Sequence, residues 1–127
     1  PVFVLTPKTW YCFPATADTS LTAPSNSELL ATGGANGSVV ELVRVKSTAS
    51  IATACPIRLF LSLDGGTTKR LIHEFMLPVT TISTTVAAAA DEWAPTVPLV
   101  LPDTSAKLYA TTHGGDDVAV FAHGGDY

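Results

Sequence analysis

The sequence contains little charge. Asp, Glu, Lys and Arg make up only 14% of its 127 residues, against about a quarter in an average soluble domain. The seven basic residues are scattered and the net charge is −4, so no basic stripe is available to follow a phosphate backbone. We therefore expect no nucleic-acid partner. A surface with so few charges is either covered by a neighbouring molecule or built from neutral Thr and Ser side chains.

Long apolar runs and abundant cysteine are also missing. No run approaches the roughly 18 apolar residues of a membrane helix, and no basic segment leads into an apolar stretch near Pro1. We expect no membrane association, no signal peptide and an intact cytosolic product. The two cysteines, Cys12 and Cys55, lie in apolar stretches. Two buried free thiols are the simplest expectation, a disulfide between them is left open, and without nearby histidines they do not suggest zinc.

Helical periodicity is almost absent, and the chain is divided by turn residues into short stretches typical of strands. The cleanest alternation covers 57–63, and the Gly-rich turn at 64–67 predicts a hairpin into the next strand. The alanine run at 87–90 is compatible with a single helical turn. The predicted strands are 2–5, 9–13, 28–32, 38–46, 57–63, 69–77, 92–93, 99–101, 107–112 and 118–122. The pattern predicts one all-β domain, an antiparallel β-sandwich resembling a jelly roll.

The N-terminal part is set apart from the rest. We expect an N-terminal strand and a loop or arm over 1–27, followed by the sandwich core over 28–127. The loop at 14–27 is polar and contains two prolines. It is long for a connection within a compact domain, so we expect it to be mobile or laid on a neighbouring molecule. The Gly-rich segment 33–37 predicts a turn with positive φ.

The tetrapeptide His-Gly-Gly-Asp occurs twice, at 113–116 and at 123–126. Its histidines and aspartates are residue types that bind zinc or manganese. A strand over 117–122 rises about 3.3 Å per residue, which separates the two copies by ~20 Å, so no single ion can join them. We expect turns before and after an edge strand, with no metal and no cofactor. One arrangement stays open, in which His123 or Asp126 of three chains meet on a trimer axis.

Catalytic patterns are weak. Neighbouring acids such as Asp91 and Glu92 point to opposite faces of a strand, so they cannot flank one scissile bond. No Gly-x-Ser-x-Gly motif is present, and the loop at 33–38 lacks the ending of a phosphate loop. His73 is expected to be half-buried and hydrogen-bonded. We expect a protein that is not an enzyme.

Aromatic residues offer a binding alternative. They could line a carbohydrate groove, although a place in the core or at a subunit interface is favoured because large rings dominate buried area. The set is Trp10, Tyr11, Trp93, Tyr109, Phe121 and Tyr127.

Several motifs from Ala31 onward resemble those of a known protein family. Thr-Gly-Gly-Ala-Asn-Gly-Ser is followed by Glu-Leu-Val-Arg-Val-Lys-Ser-Thr and then by Ile-Arg-Leu-Phe-Leu-Ser-Leu-Asp-Gly-Gly. Later come Arg-Leu-Ile-His-Glu-Phe-Met-Leu-Pro-Val, Leu-Val-Leu-Pro, Leu-Tyr-Ala-Thr-Thr-His and the terminal His-Gly-Gly-Asp-Tyr. In this order they resemble a family of small virion proteins of tailed bacteriophages. The first thirty residues depart from the pattern.

The resemblance implies a capsid decoration or cement protein with a jelly-roll-like fold, often trimeric, that stabilises the head. Its partner would be the lattice of the major capsid protein, on which many weak contacts add up to high avidity. It would be assembled in the host cytoplasm and reside on the capsid surface. We expect partner contacts at Val2, Phe3, Val4, Trp10 and Trp93. The alternatives are a head-fibre, tail or baseplate module, or a carbohydrate-binding β-sandwich.

Overall fold

The computed structural model describes residues 4–127, which form nine strands and no helix. Accordingly, this part of the chain has no helix that could span a membrane. The strands are β1 (Thr6–Cys12), β2 (Glu28–Thr32), β3 (Ser38–Ser47), β4 (Cys55–Ser62), β5 (Arg70–Leu77), β6 (Ala90–Trp93), β7 (Leu99–Leu101), β8 (Lys107–Thr112) and β9 (Val118–Asp126).

The strands form two antiparallel sheets. Sheet A has the order β1-β9-β3-β6, and β7 pairs with the first residues of β3; sheet B has the order β2-β8-β4-β5. At the sides of the molecule, β1 contacts β2 and β5 contacts β6. The predicted antiparallel β-sandwich is confirmed, and this strand order is compatible with a jelly roll.

A single apolar core lies between the sheets. On β3, Val43 and Val45 are buried in it, whereas Arg44 and Lys46 are exposed on the other face. This is the alternation that the sequence predicts for a half-buried strand. Each fully buried Val, Leu or Ile side chain contributes about 1.5–3 kcal/mol, so the alternation fixes which face of sheet A looks outward.

The predicted alternation over 57–63 does not appear as alternating burial, because Arg58 and Phe60 are buried as well as Ile57 and Leu59. Ile57 and Leu59 are fully buried in the core, but Leu61 is half-buried and Leu63 is 60% exposed beyond the end of β4. The pairing of β4 with β5 shifts after Leu59 because Ile72 is an extra residue on β5. Such a bulge changes the local twist and pairing of β5, whereas β4 keeps an unbroken register with β8 as far as Ser62.

The N-terminal strands differ from the prediction. Among the described residues, β1 begins at Thr6 and not at residue 9, and the two residues before it, Val4 and Leu5, have no strand structure. Residues 1–3 lie outside the described residues. Pro7 falls within β1, opposite Gly125 of β9. A proline is tolerated there because β1 is an edge strand.

The loop at 14–27 folds back on its own chain and is not a free arm. Ala17 forms a bridge with Thr112, and the Asp18 backbone N–H donates to the Thr112 carbonyl at 3.0 Å. The buried Asp18 carboxylate accepts hydrogen bonds from the backbone N–H groups of Ser20 and Asn26. These bonds satisfy the polar groups of a long loop inside the domain.

The alanine run at 87–90 does not form the helical turn that its composition allows. The Ser47 backbone N–H donates to the Ala89 carbonyl at 2.8 Å, and Ala90 is the first residue of β6. Pairing with β3 therefore keeps this segment extended, which overrides the helix propensity of alanine.

Candidate functional site

The first His-Gly-Gly-Asp copy forms a turn after β8, in which Gly115 has a φ of 77°. His113 beside it contacts the buried side chain of Arg58, with 2.8 Å between Nη1 and Nδ1. A guanidinium can only donate, so Nδ1 accepts and the imidazole proton lies on Nε2. Arg58 also donates from Nε to Glu74 Oε1 at 2.7 Å. This buried cation is thus held between a carboxylate and a neutral imidazole.

The second copy was predicted to be a turn beside an edge strand, and this prediction is wrong. His123 to Asp126 lie within β9, which is paired on one side with β1 and on the other with β3. A Cβ on Gly124 would lie 1.8 Å from the Val39 carbonyl oxygen, and one on Gly125 would lie 2.6 Å from the Thr6 carbonyl oxygen. Close approach of the neighbouring backbone, and not a reversal of the chain, explains these glycines.

His123 is held on the outer face of sheet A. Arg44 Nε donates to His123 Nε2 at 3.1 Å, so the ring proton lies on Nδ1, which is 3.5 Å from Thr9 Oγ1. At the end of β9, Asp126 accepts a hydrogen bond from the Ser38 hydroxyl and lies 2.9 Å from Lys8 Nζ. The Ser38 hydrogen bond, together with Lys8, lowers the pKa of Asp126 below its usual value.

The two copies therefore do not form one site. Each histidine accepts a hydrogen bond from a different arginine, Arg58 on sheet B and Arg44 on sheet A. Nowhere in residues 4–127 are three or more His, Cys, Asp or Glu side chains grouped closely enough to hold a metal ion. The repeated residues instead connect strands within their respective sheets.

Both cysteines are free and buried, as the sequence predicted. Burial, with a smaller contribution from Glu28, raises the pKa of Cys12 to about 12. The thiolate is the reactive form, so Cys12 is inert at neutral pH. Cys55 Sγ accepts a hydrogen bond from the Gly114 backbone N–H at 3.4 Å, which anchors the first His-Gly-Gly-Asp turn to the core.

The two tryptophans are half-buried and pack against the core. Trp93 stacks on His73 with a centroid distance of 4.3 Å and an interplanar angle of 5°, joining the edge strands β6 and β5. His73 is half-buried, as predicted, but the expected hydrogen bond to its ring is not found within residues 4–127; stacking takes its place. Burial lowers the pKa of His73, although Asp91 and Glu74 oppose this effect.

An exposed aromatic patch lies on the outer face of sheet A. It consists of Tyr11 (60% exposed), Phe13 (57% exposed) and the half-buried Phe121. Tyr11 lies 5.5 Å from Phe13 and 6.3 Å from Phe121 between ring centroids. The sequence could have indicated this patch, because successive residues of a strand point to opposite faces. If Trp10 and Cys12 face the core, Tyr11 and Phe13 face outward.

A groove continues from the patch across sheet A. Phe121 of β9 pairs with Arg44 of β3, which pairs with Glu92 of β6. Together with Lys46 and Asp91 these residues line an open groove of about 550 Å³, which we call the charged groove.

A second groove, of about 530 Å³, lies at the other end of β3. We call it the apolar end. Val97 is 79% exposed and Val100 is 51% exposed, while Val4 lies in the same groove. The remaining lining residues are Val39, Glu41, Pro98 and Tyr127. Of the predicted contact residues, Val4 is located here, Val2 and Phe3 lie outside the described residues, and the tryptophans are elsewhere.

Comparison with known proteins finds no protein-family model that matches the chain and no curated protein that matches it.

Proposed function

We propose that the chain is a non-enzymatic structural protein of a tailed-phage virion that decorates and stabilises the capsid shell. Its partner is the lattice of the major capsid protein, and it acts as a homotrimer. Two features support this function: the motifs from Ala31 onward, which resemble phage virion proteins, and the apolar end of the sandwich. The apolar end is the observation that carries the proposal.

The apolar end has the chemistry of a contact surface. Val97 and Val100 project beside the half-buried Val4, and Leu5 next along the chain is 81% exposed. Single exposed apolar side chains are ordinary, but a contiguous group of them marks an interaction surface. Covering it would contribute about 25 cal/mol for each Å² of apolar surface removed from water.

The scaffold behind this surface is held firmly in place. Val100 lies on β7, opposite Val39 of β3, and β3 is also paired with β9 along its length. The Ser38–Asp126–Lys8 contacts link β3, β9 and β1 at the same end of the sheet. A contact surface that is already ordered loses little conformational entropy on docking.

Weak docking at one copy is sufficient on a capsid. A shell presents many identical sites, and a trimer that engages three of them gains avidity without any new kind of contact. Closed symmetry of the oligomer would match a three-fold or quasi-three-fold position. Sedimentation equilibrium tests this part: the proposal expects a trimer of 13.2 kDa chains, and a strict monomer at all concentrations contradicts it.

The docking experiment uses heads purified from a phage in which the gene for this chain is deleted. Wild-type protein is expected to cosediment with the heads. Val100→Asp places a charge in the apolar end and is expected to weaken binding at least about tenfold, or 1.4 kcal/mol per site. Val86→Asp is the matched control, because Val86 is similarly exposed, at 45%, but lies in the segment between β5 and β6.

Two results would contradict the proposal in different ways. Failure of the wild-type protein to bind heads contradicts the decoration function itself. Equal binding by Val100→Asp and wild type contradicts the assignment of the apolar end as the contact surface. A head-fibre, tail or baseplate role is distinguished by copy number, since such a module is present in few copies per particle.

A further inference from the structure

The charged groove is chemically unlike the apolar end. Two cations, Arg44 and Lys46, line it together with the carboxylate of Glu92, and the ring of Phe121 forms part of its wall. Asp91 also borders the groove, but its side chain lies on the opposite face of β6 from Glu92. These four side chains come from three adjacent strands of a paired sheet. Their relative positions are therefore fixed by the backbone ladder.

The polar groups of this groove are available to a ligand. Within residues 4–127, neither Arg44 nor Lys46 takes part in a side-chain ion pair. Arg44 is oriented by its Nε donor bond to His123, and this bond leaves its terminal guanidinium nitrogens without a side-chain partner among the described residues. Glu92 likewise takes part in no side-chain ion pair among the described residues, so its carboxylate can accept from a ligand.

The mixture of groups selects one ligand chemistry. The carboxylate of Glu92, directly opposite Arg44, disfavours an anion beside this guanidinium. A purely apolar ligand would desolvate three charged side chains without compensating hydrogen bonds. A sugar hydroxyl both donates and accepts, so neighbouring hydroxyls can bond to a guanidinium and a carboxylate at the same time.

The aromatic patch supplies the apolar half of such a site. Phe121 belongs to both the patch and the charged groove, and Tyr11 beside it is 60% exposed. The C–H face of a pyranose ring can pack on an aromatic face while its hydroxyls reach the groove. The groove volume of about 550 Å³ lies within the usual range for small-molecule sites, about 300–1,000 Å³.

We propose that the aromatic patch and the charged groove together form a binding site for a neutral saccharide chain. Tyr11 and Phe121 form the stacking platform, Arg44 and Lys46 donate to hydroxyl oxygens, and Glu92 accepts from hydroxyl groups. This site lies at the opposite end of β3 from the apolar end, so it is independent of the docking function proposed above.

The test uses the full chain on a glycan array that displays neutral and acidic oligosaccharides. A neutral oligosaccharide that binds is then titrated into ¹⁵N-labelled protein and followed by NMR. We expect saturable shifts of the amides of Arg44, Lys46, Glu92 and Phe121, with a Kd of about 0.1–1 mM, ordinary for one shallow site. The amide of Val100 at the apolar end is expected not to shift.

Two variants remove one half of the site each. Tyr11→Ser removes the exposed stacking ring and Arg44→Met removes the donors, and each is expected to weaken binding at least about fivefold, or 1 kcal/mol. Arg70→Met on sheet B is the matched control, since Arg70 is also an exposed strand arginine. Three outcomes would contradict the proposed site: no binding of neutral glycans, binding of acidic glycans only, or unchanged binding by both variants.

Discussion

The repeated tetrapeptide provides a controlled experiment within one chain. Gly114 and Gly124 are the first glycines of the two His-Gly-Gly-Asp copies, so the same substitution to alanine can be made in identical local sequence. A Cβ on Gly124 would lie 1.8 Å from the Val39 carbonyl oxygen, which is backbone. A Cβ on Gly114 would lie 3.2 Å from Asp116 Oδ2, at the end of a side chain that can move.

The expected cost follows from these distances. A carbon and an oxygen first make ordinary contact at about 3.3 Å, so Gly124→Ala requires β9 and β3 to separate locally by about 1.5 Å. That displacement breaks two or three ladder hydrogen bonds, each with a net value of about 0.5–1.5 kcal/mol. We expect Gly124→Ala to lower the free energy of unfolding by on the order of 2–4 kcal/mol. Gly114→Ala should change it by less than about 0.5 kcal/mol, because Ala also reduces the entropy of the unfolded chain.

Urea unfolding followed by tryptophan fluorescence measures both variants, since Trp10 and Trp93 pack against the core. The slope against urea should stay constant while the midpoint falls for Gly124→Ala alone. Equal stability of the two variants, or a larger loss for Gly114→Ala, would refute the assignment of the second copy to a tightly paired strand.

Three further outcomes are expected. Asp126→Asn should lower stability by about 1 kcal/mol at pH 7. The folded-state pKa of Asp126 is below the unfolded value of about 3.9, so the difference from wild type should shrink as pH falls through that folded-state pKa. A pH-independent difference would contradict the contacts of the Asp126 carboxylate with Ser38 and Lys8. Glu74→Ala leaves the buried Arg58 without its carboxylate and should cost about 1–3 kcal/mol in thermal or urea unfolding; an unchanged midpoint would contradict it. Cys12, whose pKa is raised to about 12, should not react with a thiol reagent at pH 8 until the protein is unfolded, and fast labelling of the native protein would show that the thiol is accessible.

Local patterns in the sequence were sufficient for much of the fold. The alternation at Val43, Arg44 and Val45 gave the correct faces of β3, and the Gly-rich turn at 64–67 gave the correct hairpin. These features depend on neighbouring residues only, which is why the sequence specifies them. The buried free thiols were also predicted correctly, because their apolar surroundings are visible in the chain.

Features that depend on contacts between distant strands could not be predicted from local sequence patterns. Gly124 resembles a turn glycine in sequence, and only the approach of Val39 from β3 shows that it belongs to a strand. The bulge at Ile72 and the start of β1 at Thr6, three residues before the predicted start, likewise depend on pairing partners. The charged groove combines residues from β3, β6 and β9, which are distant in the sequence, so no local motif predicts it.

Electron cryomicroscopy of purified particles from the source phage tests the central proposal most directly. The proposal predicts β-sandwich density on the outer capsid surface, repeated with the symmetry of the lattice, with Val97 and Val100 at the apolar end facing the shell. Particles in which this chain is absent from the head, or present only in the tail, would contradict the proposed decoration function.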